Sequence, residues 1–316
     1  MLKNLESICK QYSSFLLIGH TKPDADCIGA LVSMGIYLES LGKRVFLFTL
    51  DAPGEVYNFL PLVNKIKDNL PGISEFECII YVDNSGEQSG LLEMYPEFYF
   101  NFDPIVVVDH HPYKENPSHF NFKFTNYSST SEIVFWFFRE VGFEINQDMA
   151  FNLMSGIYYD TNAFFNDNTG YNTLKASSVL LRILGRHPVE IYNFLNKKSL
   201  GKLHSFGRAL SRLTMSKHFS LIYTYLLETD FSDLKDVSTS SISNFIQGID
   251  ESPVTLLLSD RGDGFVRGSL RTMNSLDVRK IAQIISPEGG GHKKAAGFSI
   301  PGRLEENNNK IYYCSK

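Results

Sequence analysis

Short apolar runs, each ending abruptly in polar residues, set the pattern of the first half of this chain. The runs at 15–18 (Phe-Leu-Leu-Ile), 44–48 (Arg-Val-Phe-Leu-Phe), 78–82 (Cys-Ile-Ile-Tyr-Val) and 105–108 (Ile-Val-Val-Val) are apolar at nearly every position. Such runs mark strands buried on both faces of a parallel sheet. Between the first two, Ile28, Leu31, Val32, Ile36 and Leu38 predict a helix over about 27–41, stopped by Gly42. Strand, helix and strand make a β-α-β unit of the doubly wound kind. The Ser/Thr-rich stretch 128–131 predicts a cap for a helix through Phe138, and a further helical stretch near 149–157 leads into Tyr158-Tyr159-Asp160.

The pattern changes after Gly185. Arg186-His187-Pro188 breaks the preceding helix, and 191–213 reads as mostly helical. Strands follow at 220–225, 254–258 and 265–271, then a helix at 277–282 and a run of glycines. The tail from Arg303, polar through Asn309 and ending in Ile311-Tyr312-Tyr313, either adds an edge strand or stays loose. The expected organisation is a first domain over 1–186, a helical linker over 187–212 and a smaller α/β domain over 213–316.

The polar residues that end the runs carry the candidate chemistry. His20, Asp24 and Asp26 follow the first run, Asp83 the third, and Asp109-His110-His111 the fourth, while Asp160 closes a helical stretch. Acids at strand ends also serve as turn formers and helix caps, and Asp24 and Asp26 suit the start of the following helix. In open α/β sheets, however, ligands bind beyond the carboxyl ends of the strands. Parallel strands would therefore converge all four clusters on one face, where so many like charges destabilise one another without cations. Two divalent metals about 3.5–4 Å apart, sharing a carboxylate, are a standard arrangement for phosphoryl hydrolysis. Mixed Asp/His ligands suit manganese, with magnesium or iron less favoured.

Composition narrows the partners. With 43% hydrophobic and 21% charged residues in 316, the chain is ordinary for a globular protein of about two domains. A net charge of -5 argues against a sequence-independent grip on duplex DNA. Cys9, Cys27, Cys78 and Cys314 lack CxxC spacing and read as ordinary thiols. Neither a signal-peptide pattern nor an apolar run of transmembrane length is present, so the expected location is cytoplasmic, with no membrane partner.

His20-Thr21-Lys22-Pro23-Asp24-Ala25-Asp26-Cys27-Ile28-Gly29, Asp83, Asp109-His110-His111 and Asp160 together resemble the four motifs of the DHH phosphoesterase superfamily, in order and approximate spacing. Gly289-Gly290-Gly291-His292-Lys293-Lys294-Ala295-Ala296-Gly297 resembles the signature of the DHHA1 substrate-binding domain. The resemblance implies a stand-alone DHH/DHHA1 enzyme with its active site in the cleft between the domains. It implies that His20, Asp24 and Asp83 hold one metal, and that Asp26, Asp83, His110 and Asp160 hold the second. Asp109 would orient a ligand histidine, and His111 would face the substrate phosphate or leaving group. Ala30 departs from the pattern, where a serine often follows the glycine; the position is small and non-ligating.

In the smaller domain the glycines 289–291 would let backbone N–H groups face an anion, aided by a helix dipole if His292 opens a short helix. Ser269 and Arg271 lie on the strand before this run, and Arg271 suits a forked phosphate contact. The resemblance makes Arg271 and His292 substrate contacts. The implied activity is hydrolysis of short single-stranded RNA and of linear or cyclic dinucleotides, such as pApA and cyclic di-AMP, to 5′-mononucleotides. A phosphatase acting on 3′,5′-bisphosphoadenosine and a non-catalytic nucleotide sensor are the competing readings. Exposed apolar surface on the first domain would support a homodimer.

Overall fold

The computed structural model describes residues 2–70, 72, 75–86, 89–96, 102–112, 118–216, 218–231, 239–307 and 310–315. The chain divides into two compact units, Met1–Lys197 and Lys198–Lys316. In the first, β1 (Ser14–Ile18), β2 (Arg44–Phe48), β3 (Ile66–Lys67), β4 (Cys78–Val82), β5 (Ile105–Asp109) and β6 (Phe120–Lys123) form one sheet in the order β3-β2-β1-β4-β5-β6. Every neighbouring pair is parallel. Strands β1, β4 and β5 are buried along their whole length, which is why they read as unbroken apolar runs. β3 and β6 escape that pattern because they are short and partly exposed. The order of the strands reverses between β1 and β4, and the loops leaving the two strands there open a crevice.

Helices α1 (Lys3–Gln11), α2 (Ala25–Ser40), α3 (Leu91–Met94), α4 (Thr130–Val141), α5 (Gln147–Asp160), α6 (Tyr171–Leu184) and α7 (Val189–Leu195) are the α-helices of this unit among the described residues. Side chains alternate along each strand: Phe15 and Leu17 join Leu31, Phe137 and Leu153 in the larger core, whereas Leu16 and Ile18 join Phe48 and Tyr81 in the smaller one. Helix α2 begins two residues earlier than the apolar spacing predicts, because the Asp24 carboxylate accepts from the N–H groups of Asp26 and Cys27 at 2.9 and 3.1 Å. Helices α2 and α5 meet through glycines. A Cβ on Gly29 would collide with the Asn152 carbonyl, and one on Gly156 would lie 2.9 Å from Asp26 Cα. Helix α5 runs through Asp160, so this acid is delivered by a helix end and not, as the other clusters are, from a strand end.

The segment 187–212 is two helices divided between the units. Ile191 of α7 packs into the first core, and Ala209 of α8 (Leu200–Ser211) packs with Leu226 and Leu257 in the second unit. There β7 (Thr214–Ser216), β8 (Leu221–Leu226), β9 (Val254–Asp260), β10 (Phe265–Arg271), β11 (Gly290–Gly291) and β12 (Ala295–Pro301) form a mixed sheet in the order β11-β12-β10-β9-β8-β7. Helices α9 (Thr239–Phe245) and α10 (Val278–Ile285) belong to the same unit, and α10 packs on the sheet through Val278 and Ala282. The tail is neither an edge strand nor loose: β13 (Arg303–Asn307) and β14 (Lys310–Cys314) pair antiparallel as a sheet of their own. Asp260 accepts from the Leu304 N–H at 2.8 Å, and Leu304 and Ile311 pack with Tyr225 and Val266, which holds the hairpin down.

Candidate active site

The carboxyl ends of β1, β4 and β5 deliver His20, Asp83 and Asp109-His110-His111 to one place, and α2 and α5 add Asp24, Asp26 and Asp160. Asp83 has φ of 61°, a left-handed backbone tolerated by Asp better than by most residues, and it turns the chain just past β4. Behind it the buried Asn84 donates to the carbonyls of Ile18 and Val82, both at 3.0 Å, and so ties the end of β1 to that of β4.

Asp83 is the hub. Its Oδ2 lies 3.5 Å from His20 Nε2, and its Oδ1 lies 3.7 Å from His110 Nε2 and from His111 Nδ1. Thr130 Oγ1 donates to the same Oδ1 at 2.8 Å. His20 Nδ1 is 2.7 Å from the Thr21 carbonyl, which places the proton on Nδ1 and aims Nε2 at the acids. His110 Nε2 is 3.1 Å from Asp160 Oδ2. The fully buried Asp26 accepts from the N–H groups of Thr130 and Ser131 at 2.7 and 2.8 Å, so it sits on the positive end of α4. The ligand-type atoms of Asp26, His110 and Asp160 lie within 4.8 Å of one another, as do those of His20, Cys27 and Asp83 and those of Asp83, His110 and His111.

The charges in this cluster oppose one another. Burial and the neighbouring Asp83 and Asp160 push Asp26 well above the usual carboxylate range. Burial likewise raises Asp160, to about 6. Burial would lower His110, but Asp160, Asp26 and Asp83 outweigh it and raise the ring to about 10. His20 follows the same logic, with Asp24 and Asp83 outweighing burial to raise it. A site with five Asp carboxylates and three imidazoles fits divalent cations, and its oxygen and nitrogen donors are those of manganese, magnesium or iron sites.

Asp109 plays a different part. It is fully buried, its Oδ1 is 2.8 Å from His111 Nδ1, and its Oδ2 lies 3.0 Å from Ser85 Oγ and 3.1 Å from Lys123 Nζ. Burial would raise its pKa, but His111 and Lys123 hold it below the usual carboxylate range. The histidine that Asp109 orients is therefore His111, and not one of the histidines, His20 and His110, that the resemblance implies as metal ligands. Sequence reasoning missed Lys123, on the weakly patterned β6, and the approach of Cys27 to His20, which its spacing could not show.

In the second unit, Ser269 and Arg271 share a face of β10, and the pairing places Ser269 in one row with Gly297 and Gly290. Arg271 Nε donates to Asn244 Oδ1 at 2.9 Å, on the wall of a cavity of about 260 Å³ that also includes Thr255 and Thr272. The glycine run is built otherwise than the anion nest expected of it. Gly289 donates to the Ser286 carbonyl and has no room for a Cβ against Ala282, while the His292 N–H donates to Ala295. Gly290 and Gly291 pair as β11, and the exposed His292 lies in the tight turn to β12, so no helix starts there.

Comparison with known proteins agrees with this geometry. Residues 14–157 match the model of the DHH family N-terminal domain, and residues 218–312 match that of the DHHA1 domain. The chain belongs to the DHH/DHHA1 family. It is 27% identical over 286 residues to the bifunctional oligoribonuclease and PAP phosphatase NrnA of Thermus thermophilus, covering 90% of this chain and 83% of that protein. The protein of the same name in Mycoplasma pneumoniae is 23% identical over 305 residues, covering 95% and 91%. An exopolyphosphatase-related protein from Bacteroides fragilis has the same fold, with a TM-score of 0.82 at 21% identity, covering 95% of this chain and 90% of that one. The DHH match spans every clustered residue except Asp160, which lies three residues beyond its end.

Proposed function

We propose that this DHH/DHHA1 protein is a metal-dependent phosphodiesterase that cleaves short oligoribonucleotides and linear or cyclic dinucleotides, such as pApA and cyclic di-AMP, to 5′-mononucleotides. The observation that carries this reading is the convergence of Asp and His side chains around Asp83 at the strand ends. His20, Asp24 and Asp83 would hold one divalent ion, and Asp26, Asp83, His110 and Asp160 the other, with manganese favoured by the donor set. When bound, such ions neutralise charge on phosphoryl oxygens and activate water near neutral pH.

The chain's own groups prepare and complete the reaction. Thr130 Oγ1 fixes Asp83, and the first N–H groups of α4 fix Asp26, so both carboxylates are oriented before a substrate arrives. His111 would be the residue that moves a proton. Asp109 engages its Nδ1 and raises its pKa, which favours a proton on Nε2 that would pass to the leaving oxygen as the P–O bond breaks. In the second unit, Arg271, Ser269 and the exposed His292 would contact the substrate's phosphates, with Gly290 and Gly291 of β11 beside them and Gly289 serving the packing of α10. Among the described residues no helix is long and apolar enough to cross a membrane, and the four cysteines are unpaired, which supports a cytoplasmic location.

A second reading, a phosphatase for 3′,5′-bisphosphoadenosine, is favoured by the names of the two NrnA relatives. Chromatography of products from pApA, cyclic di-AMP, a five-nucleotide RNA and the bisphosphate, each with manganese, tests both. AMP from the diesters, absent with Asp83→Ala, is the expected result. Orthophosphate from the bisphosphate alone would establish the second reading, and binding without any turnover would leave only a sensor.

A further inference from the structure

Beside the Asp83 hub lies an open cavity of about 410 Å³, within the ~300–1,000 Å³ of small-ligand sites. Lys22, Asp24, Asp51, Tyr57 and Tyr159 line it, all within the first unit. Tyr159 is the residue before Asp160 and is 43% exposed. Tyr57 meets it edge to face, with ring centroids 6.5 Å apart and planes at 74°. One ring thus braces the other in an orientation that leaves aromatic surface open to the cavity. The loop carrying Lys22 is pinned by its N–H to Asp51 at 2.9 Å, so the rim is fixed as well.

We propose that Tyr57 and Tyr159 form a nucleobase subsite that stacks the base of the nucleotide released with the 5′-phosphate. Every base offers a π-face, and stacking on an exposed tyrosine is the common way to hold one without reading its edges. The side of the cut follows from the two oxygens of Asp83. Oδ2 faces His20, which neighbours Asp24 in the cavity wall, whereas Oδ1 faces His111. If His111 protonates the leaving oxygen, the leaving nucleoside lies on its side, and the retained nucleotide lies toward the tyrosines. Lys22 at the rim adds a cation for the retained phosphate. This assignment rests on the phosphodiesterase reading for the identity of the ligand.

Equilibrium binding separates the subsite from turnover. Calorimetric titration of AMP and of ribose 5-phosphate into the manganese-loaded full chain measures what the base adds. Wild type should bind AMP about five- to 150-fold more tightly than ribose 5-phosphate, the range for one stacked base. Tyr159→Leu should erase that ratio while leaving ribose 5-phosphate binding unchanged, and Tyr159→Phe should retain it. In turnover of pApA, Tyr159→Leu should raise KM by a similar factor and leave kcat within about two-fold. Tyr57→Leu, which removes the brace, should reduce the ratio in the same direction. A ratio that survives in Tyr159→Leu, or its absence in wild type, would overturn the subsite even if pApA is cleaved. A ratio that behaves as stated without any cleavage would uphold the subsite and refute the phosphodiesterase reading instead.

Discussion

Replacing Asp109 with Asn tests how the centre is buttressed. The substitution keeps the shape but removes the charge that faces Lys123, whose side chain is only 6% exposed, and His111. Removing one partner of a buried ion pair costs about 3–5 kcal/mol, because the other charge stays buried without compensation. Lys123 keeps the Ser85 hydroxyl and the Pro112 carbonyl, which places the expected loss near the lower end, about 3 kcal/mol. Unfolding entropy of about 2.1 cal/mol/K per residue over Met1–Lys197 gives about 0.4 kcal/mol/K, so the first unit should melt about 7 °C lower. Calorimetry of chelator-treated protein reads this directly. Asp109→Asn combined with Lys123→Met should recover much of the loss, since neither charge is then left alone. A shift below about 2 °C, or a double variant as unstable as the sum of the singles, would refute the buried-pair argument.

Other consequences are as direct. A methyl group at Gly156 would press on Asp26 and Ser131, so Gly156→Ala should destabilise the first unit by about 1–3 kcal/mol. It should also weaken manganese binding, seen in thermal melts and in a metal titration. Thr130→Val removes the hydroxyl that fixes Asp83 and should lower metal affinity roughly 10–100-fold with little change in fold, measured by the same titration. Burial pushes the Cys9 thiol up to about 12 and Cys27 to about 11, and raises Cys78 as well. Raised values keep these thiols protonated at pH 8, so a thiol reagent should label only the part-exposed Cys314 promptly and all four cysteines after unfolding.

The parts of this molecule that were legible beforehand are those in which a local pattern and a long-range position coincide. Leu16 to Ile18 and Val106 to Val108 are apolar because both faces of the sheet are covered, so the runs announce the strands and the next polar residue announces the site. Asp160 was found by motif, but its delivery from the end of α5 depends on the close crossing of α2 and α5 at Gly29 and Gly156. No single segment encodes that approach. The support of Asp26 by α4 joins residues 104 and 105 positions apart, and the Asp109–Lys123 pair relies on a strand too short and exposed to show a period. The glycine run resembles an anion nest because glycine permits one, yet here Gly289 is small to let α10 pass and Gly291 takes φ of 126° at the end of β11.

The central claim is that the Asp83 centre works through two metal ions. The most direct measurement adds manganese in steps to chelator-treated protein and follows AMP release from pApA. The account predicts no turnover in chelator, a plateau at two equivalents per chain, and no plateau at any manganese level with Asp83→Ala. Full turnover in the presence of chelator, or a plateau reached at one equivalent, would contradict it.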